Sequence, residues 1–164
     1  MVLPIYIYGH PVLRAENAAV TPDFPDLKEL IENMKETMYH TQGIGIAAPQ
    51  VGVNARIVYI DVDVLAEDFP ELKDVRMVLI NPEITVDENA PFITREEGCL
   101  SVPGYRGKCK RPMKVWVEAL NENGEEISFE AEGFLAVICC HEFDHLDGIL
   151  YKDKAIEFER AEED

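Results

Sequence analysis

The sequence predicts an α+β fold, with mainly antiparallel sheets around a central helix that carries His141-Glu142-Phe143-Asp144-His145. Helical and strand-like segments are segregated along the chain instead of alternating, which argues against a parallel βαβ sheet. Asn123-Gly124 separates two strand-like runs, and that dipeptide tolerates the positive φ angles of a tight hairpin. From Gly133 the pattern changes to a continuous apolar helix that Gly148 closes. The 164 residues suit one compact domain spanning 1–164, and 47% hydrophobic with 29% charged residues is a globular composition.

Taken in order, the N-terminal MVLPIYIYGHPVLR is broken by Pro4 and Gly9 and has neither a basic start nor a small-residue cleavage site, so it is not read as a signal peptide. Thr21, Asp23 and Pro25 offer helix-start chemistry, and Leu27, Leu30, Ile31, Met34 and Met38 follow at helical spacing, so an amphipathic helix should end near Gly43. Residues 43–52, GIGIAAPQVG, cannot be a regular helix, because glycines and a proline interrupt an apolar stretch. Residues 55–61, 76–80 and 113–120 read as strands by β-branched and aromatic content, the second ending at Asn81-Pro82, and 125–132 completes the hairpin. The last residues, about 152–164, read as a short charged helix or a frayed acidic tail.

Fifteen Lys and Arg stand against 32 Asp and Glu, a formal net charge of −17, and the resulting field repels DNA and anionic membrane surfaces. Residues 105–114 are the exception, holding Arg106, Lys108, Lys110, Arg111 and Lys114 with no acid. That window reads as a turn or an edge strand whose bases discourage pairing with other chains. No apolar run approaches the about 18 residues of a membrane span, and a cytoplasmic protein is expected. The four cysteines, Cys99, Cys109, Cys139 and Cys140, contain no C-x-x-C pattern and are expected as reduced thiols.

The sharpest chemical signal is H-E-x-x-H on the late helix. His141 and His145 project from one face a turn apart and can grip one metal ion, with Glu142 beside them to handle a proton. Phe134, Val137 and Ile138 fall with the histidines within about 100° of helical arc, so the ligands continue an apolar stripe that would suit a side-chain pocket or ordinary core. Two histidines leave a catalytic site one protein ligand short. His10, His40 and the cysteines are candidates. Cys139 and Cys140 point away from the histidine face, Cys109 sits in the basic window, and Cys99 stands out because it follows Gly98, where backbone can approach closely.

GIGIAAPQ (43–50), EEGCLSVPG (96–104) and HEFDHLDG (141–148), in this order and spacing, resemble the three signature motifs of the peptide deformylases, and the likeness runs from IYGHPVLR to about Tyr151. The resemblance implies a single catalytic domain that removes the N-formyl group from the formyl-methionine of nascent peptides and releases formate. It also implies Cys99, His141 and His145 as metal ligands, the ion being ferrous iron in the cell and replaceable by nickel, cobalt or zinc. Glu142 would be general base and then acid, while the Gln50 amide and the Leu100 N–H would hold the oxyanion. An extended peptide would pair near Ile44 and Gly98, Gly45 leaving it room, its first side chain entering a pocket of Phe134, Val137 and Ile138, with Arg106 near its path.

Three departures from the family pattern are mild: Cys140 stands where glutamine is common, Arg95 where an apolar residue is common, and Ile46 where leucine is common. Bacterial members usually continue into a basic C-terminal helix that can dock on the ribosome; the end here is acidic, so docking by that route is not expected, and a monomer is. Two other activities fit parts of the pattern: an H-E-x-x-H peptidase of another kind, against which Cys99, Gln50 and Leu100 argue, and a catalytically silent relative that binds metal or peptide termini.

Overall fold

A computed structural model describes residues 1–160. Helix α1 (Leu27–His40) is followed by strand β1 (Gly45–Ala47), a 3-10 turn at Ala48–Val51, β2 (Ile57–Asp61) and β3 (Arg76–Val86). Then come β4 (Phe92–Cys99), β5 (Val102–Pro112), β6 (Lys114–Leu120), β7 (Glu126–Glu132), α2 (Phe134–Leu146), the single turn α3 (Tyr151–Lys154) and β8 (Glu157–Arg160). Every strand pair is antiparallel, in a five-stranded sheet ordered β1-β2-β3-β6-β7 and a three-stranded sheet ordered β4-β5-β8. No helix of the described residues is long and apolar enough to cross a membrane.

Period-two alternation decides how the larger sheet is covered. Val58 and Ile60 of β2 join Val117, Ala131, Ala136 and Cys139 in a core against α2. Ile57 and Tyr59, on the opposite face, pack with Ile31, Met34 and Met38 of α1. Strand β2 is therefore buried along its whole length, and its sequence IVYID is almost uninterruptedly apolar. Helix α1 starts at Leu27, beyond the expected Thr21–Pro25 cap region, with Asp26 at φ 54° before it and no side-chain cap. Strand β3 does not end at Asn81-Pro82: it passes through a bulge between Ile80 and Glu83, where Asn81 takes φ 51° and Pro82 needs no ladder hydrogen bond.

The basic window and the acidic end differ from expectation together. Residues 105–114 are neither a turn nor an edge: β5 is the middle strand of the small sheet. The end begins as the short charged turn α3, as expected, but then neither continues as helix nor frays through residue 160, because the chain pairs β8 with β5; residues 161–164 lie outside the described residues. The physical reason is charge in register. Glu157 stands opposite Lys108, Glu159 opposite Arg106, and the Lys108–Glu157 pair closes at 3.2 Å. Phe158 stacks on Tyr105 with ring centroids 5.1 Å apart. Gly107 allows the close approach, since a Cβ there would sit 2.9 Å from the Glu157 carbonyl oxygen.

Candidate metal centre

Strand β4 is delivered to α2 by a register shift between Glu97 and Cys99, which turns the thiol at the end of the strand toward the helix. There Cys99 Sγ lies 3.3 Å from His145 Nε2, and the ligand atoms of Cys99, His141 and His145 all fall within 4.8 Å of one another. His141 Nδ1 is 2.8 Å from Glu97 Oε1, so this ring can donate its Nδ1 proton to the carboxylate and keep Nε2 as a lone-pair donor. His145 Nδ1 is buried with no hydrogen-bond partner. One thiol and two imidazoles converging in this way fit a four-coordinate transition-metal ion that keeps one position open.

Glu97 is itself held. It accepts from Arg111 Nε and Nη2 at 2.8 and 2.9 Å, and Arg111 Nη1 donates to Asp144 at 2.6 Å. Lys154 completes the chain by donating to Asp144 at 3.2 Å. Arg111, Glu97 and Asp144 are buried beside the three ligands, while Lys154 joins them from the exposed rim. Burial alone would raise the Glu97 carboxyl, but His141 and Arg111 outweigh it and bring it down to about 2.

Glu142 lies next along the helix, buried, with Oε2 unpartnered. Burial raises its carboxyl to about 7. A Cβ on Gly45 would meet Glu142 Oε1 at 2.6 Å, so the missing side chain at 45 makes room for this carboxylate, whereas the sequence suggested room for a peptide. Gln50 is oriented by its own carbonyl, which accepts from the Ala47 N–H at 2.9 Å; its amide donates to Ser101 Oγ at 3.1 Å and approaches Cys99 Sγ at 3.6 Å. Leu100 follows Cys99 in the connection to β5.

These groups share one cleft of about 550 Å³, whose lining includes Ile44, Gly45, Gly98, Leu100, Arg106, Phe134, Val137 and Ile138 together with Gln50, Cys99, His141 and Glu142. His145 lies behind the lining, only 1% exposed. Arg106 reaches only the rim: it is 58% exposed and loosely paired with Glu96 at 3.7 Å. The other thiols stand apart, with Cys139 pushed by burial up to about 12 and Cys109 donating to the Tyr151 carbonyl. His10 caps a 3-10 turn by accepting from the Val12 N–H, and His40 ends α1. Glu97, Arg111 and Asp144 are the site residues that the sequence left unmarked. The only available signal was that Glu97 and Asp144 sit inside the motifs, since nothing in YRGKCKRPMK distinguishes the buried base from the exposed ones.

The sequence profile of the polypeptide deformylase family matches residues 2–161. A peptide deformylase of Acetivibrio thermocellus is 48% identical over 150 residues, covering 92% of this chain and 81% of that one. One from Salinibacter ruber is 43% identical over 164 residues, covering 98% and 84%. Among solved structures, the peptide deformylase of Thermotoga maritima superposes with a TM-score of 0.84 at 38% identity, covering 94% of this chain and 98% of that one. That of Synechococcus elongatus, in complex with actinonin, gives 0.83 at 36%, covering 93% and 78%. Matching along nearly its whole length in sequence and in fold, the chain belongs to the peptide deformylase family.

Proposed function

We propose that this chain hydrolyses the formyl amide of N-formylmethionyl peptides with Glu142 as proton carrier, Cys99, His141 and His145 as the ligands of one divalent ion, and Gln50 with the Leu100 N–H as oxyanion donors. Metal-dependent removal of the N-formyl group from nascent peptides is the activity of the family. The observation that carries the assignment of roles is the buried Glu142 carboxylate, its Oε2 unpartnered, in one cleft with a Cys/His/His donor set.

Bound by those three side chains, a divalent ion supplies Lewis acidity to the formyl oxygen and to the attacking water. Glu142 takes a proton from that water and returns it to the leaving amine, its buried, unpartnered Oε2 being free for both transfers. Gln50, its orientation fixed by Ala47, aims its amide at the oxygen on which negative charge develops, and the Leu100 N–H joins it. Strands β1 and β4 are edges of their sheets and both line the cleft, so an extended peptide can add to them through main-chain hydrogen bonds. A Cβ at Gly98 would meet nothing nearer than the Tyr105 carbonyl oxygen at 3.9 Å, and that open side is the peptide's path. Methionine would enter between Phe134, Val137 and Ile138. A thiolate with two imidazoles suits ferrous iron, with nickel, cobalt or zinc as substitutes, and work on nascent chains places the enzyme in the cytoplasm.

The test is formate release from formyl-Met-Ala-Ser by iron- or nickel-loaded protein, beside the unformylated peptide. Glu142→Ala should lower turnover by about 10²–10⁴ while elemental analysis still finds the metal, and Cys99→Ala should lose the metal. No formate from the loaded protein, or cleavage of internal peptide bonds instead, would overturn the assignment.

A further inference from the structure

We propose that Arg95 is a positioning residue that sets the size limit of the side-chain pocket by clamping Phe134 as its outer wall. The proposal rests on the pocket assignment above and names what shapes that pocket. The Arg95 guanidinium carbon lies 4.3 Å from the Phe134 ring centroid and 5.4 Å from that of Phe69. The two rings stack on each other, 5.5 Å apart at 18°. Three segments distant in sequence meet there: strand β4, the first residue of α2, and Phe69 from the connection between β2 and β3.

Among the described residues no carboxylate oxygen lies within 4.0 Å of the Arg95 guanidinium. The nearest acids along the strand are engaged, Glu96 with Arg106 at 3.7 Å and Glu97 with Arg111 and His141. Phe134 lines the cleft, whereas Arg95 and Phe69 do not. Arg95 therefore acts one ring removed from any ligand. Phe134 follows Gly133 at φ 62° and begins the helix, so its half-buried side chain has no preceding helical turn to restrict its rotamer. What holds its ring is a three-way packing: the Phe69 ring stacks on it, and a cation attracted to its π-face touches both rings at once. Without the cation the ring is free to turn outward, and the pocket then admits a side chain bulkier than methionine.

The experiment uses the metal-loaded enzyme and its Arg95→Met and Arg95→Lys variants. Formate release from formyl-Met-Ala-Ser and formyl-Phe-Ala-Ser gives the ratio of kcat/KM between the two first residues. Side-chain NMR of selectively labelled phenylalanine reports the Phe134 ring independently of turnover. Arg95→Met should lower the Met-to-Phe ratio by about 2- to 5-fold, mostly through KM for the larger substrate, with kcat on formyl-Met preserved and Phe134 in more than one conformation. Arg95→Lys keeps the charge but loses the planar stacking and should fall between. A folded Arg95→Met enzyme with an unchanged ratio overturns the proposal and leaves the deformylase assignment standing. If no variant releases formate, that assignment fails, and a single unaltered Phe134 conformation in Arg95→Met then overturns the clamp by itself.

Discussion

The two sheets hold α2 by different forces. Against the five-stranded sheet the helix is packed by apolar side chains, Val58, Ile60, Val117 and Ala131 among them. Against the three-stranded sheet the contact is ionic: Arg111 of β5 reaches Asp144 of α2 and Glu97 of β4, and only Val102, Cys109, Leu150 and Tyr151 form a small apolar cluster beside it. Apolar burial is non-directional and sets stability. A buried ion network recovers little of what desolvation costs, so its worth lies in orientation. Here it orients His141, whose Nδ1 is tied to Glu97. One side of α2 keeps the helix folded; the other keeps its imidazole aimed.

Deleting one member from each side separates the two. Arg111→Leu strands Glu97 and Asp144 without their shared cation and should cost about 3–5 kcal/mol of unfolding free energy. With Glu97 no longer held, affinity for the metal should also fall about 10- to 100-fold. Leu79→Ala, a truncation in the apolar core against α2, should cost a comparable 2–5 kcal/mol or so, yet leave metal affinity of the folded protein unchanged. Urea titration paired with metal competition distinguishes them. Native-like affinity in folded Arg111→Leu would remove the orienting role from the network.

Two glycines on the small sheet sharpen the contrast within it. At Gly107 an added methyl meets the Glu157 carbonyl oxygen at 2.9 Å and the Ala155 Cβ at 3.0 Å, so Gly107→Ala must push β8 away and should cost about 1–3 kcal/mol. Hydrogen exchange should quicken in β8 and in the β5 amides that face it. At Gly98 the space is open, and Gly98→Ala should leave unfolding unchanged while raising KM for formylated peptides. Equal stability losses at both positions would show that Gly98 is structural and that no peptide path runs past it.

The same division decided what could be read from the sequence. Strands 55–61, 113–120 and 125–132 were legible from their β-branched and aromatic content and the turn residues between the last two, and the Asn123-Gly124 turn is where it was expected, Asn121 N–H bonding the Glu125 carbonyl. Strand β4 was not legible, and β5 only as a turn or an edge strand: FITREEGC and VPGYRGKCKRP bury Glu97 and Arg111, which composition assigns to the surface and only their mutual pairing takes inside. Strand β8 was hidden for the same reason, EFER gaining its place from Lys108, Tyr105 and a glycine on another strand. The three motifs named the groups that line the cleft because chemistry fixes their type and spacing. The supports behind the cleft, Arg111 for His141 and Arg95 with Phe69 for Phe134, carry no such fixed pattern.

The smallest expected effect comes from the same ion-pair chemistry at the surface. Arg14 donates to both Asp153 oxygens, at 2.5 and 3.1 Å, and to the Gly148 carbonyl at 2.8 Å, tying the N-terminal segment to the turn after α2. With Arg14 46% and Asp153 36% exposed, water screens this pair as it does not screen Arg111. Arg14 holds the Asp153 carboxyl below its ordinary value, and the Leu150 N–H adds to this. A lowered acid stabilises the fold fully above its unfolded pKa and loses that contribution as pH falls through the folded value. Asp153→Asn should therefore unfold about 1–3 °C below the native chain at pH 7, and the gap should close as pH falls through the lowered value and the native carboxyl is itself protonated. Thermal unfolding of both proteins across that range is the measurement. A gap that persists unchanged into acid would assign the loss to the neutral hydrogen bonds of Asp153 and not to its charge.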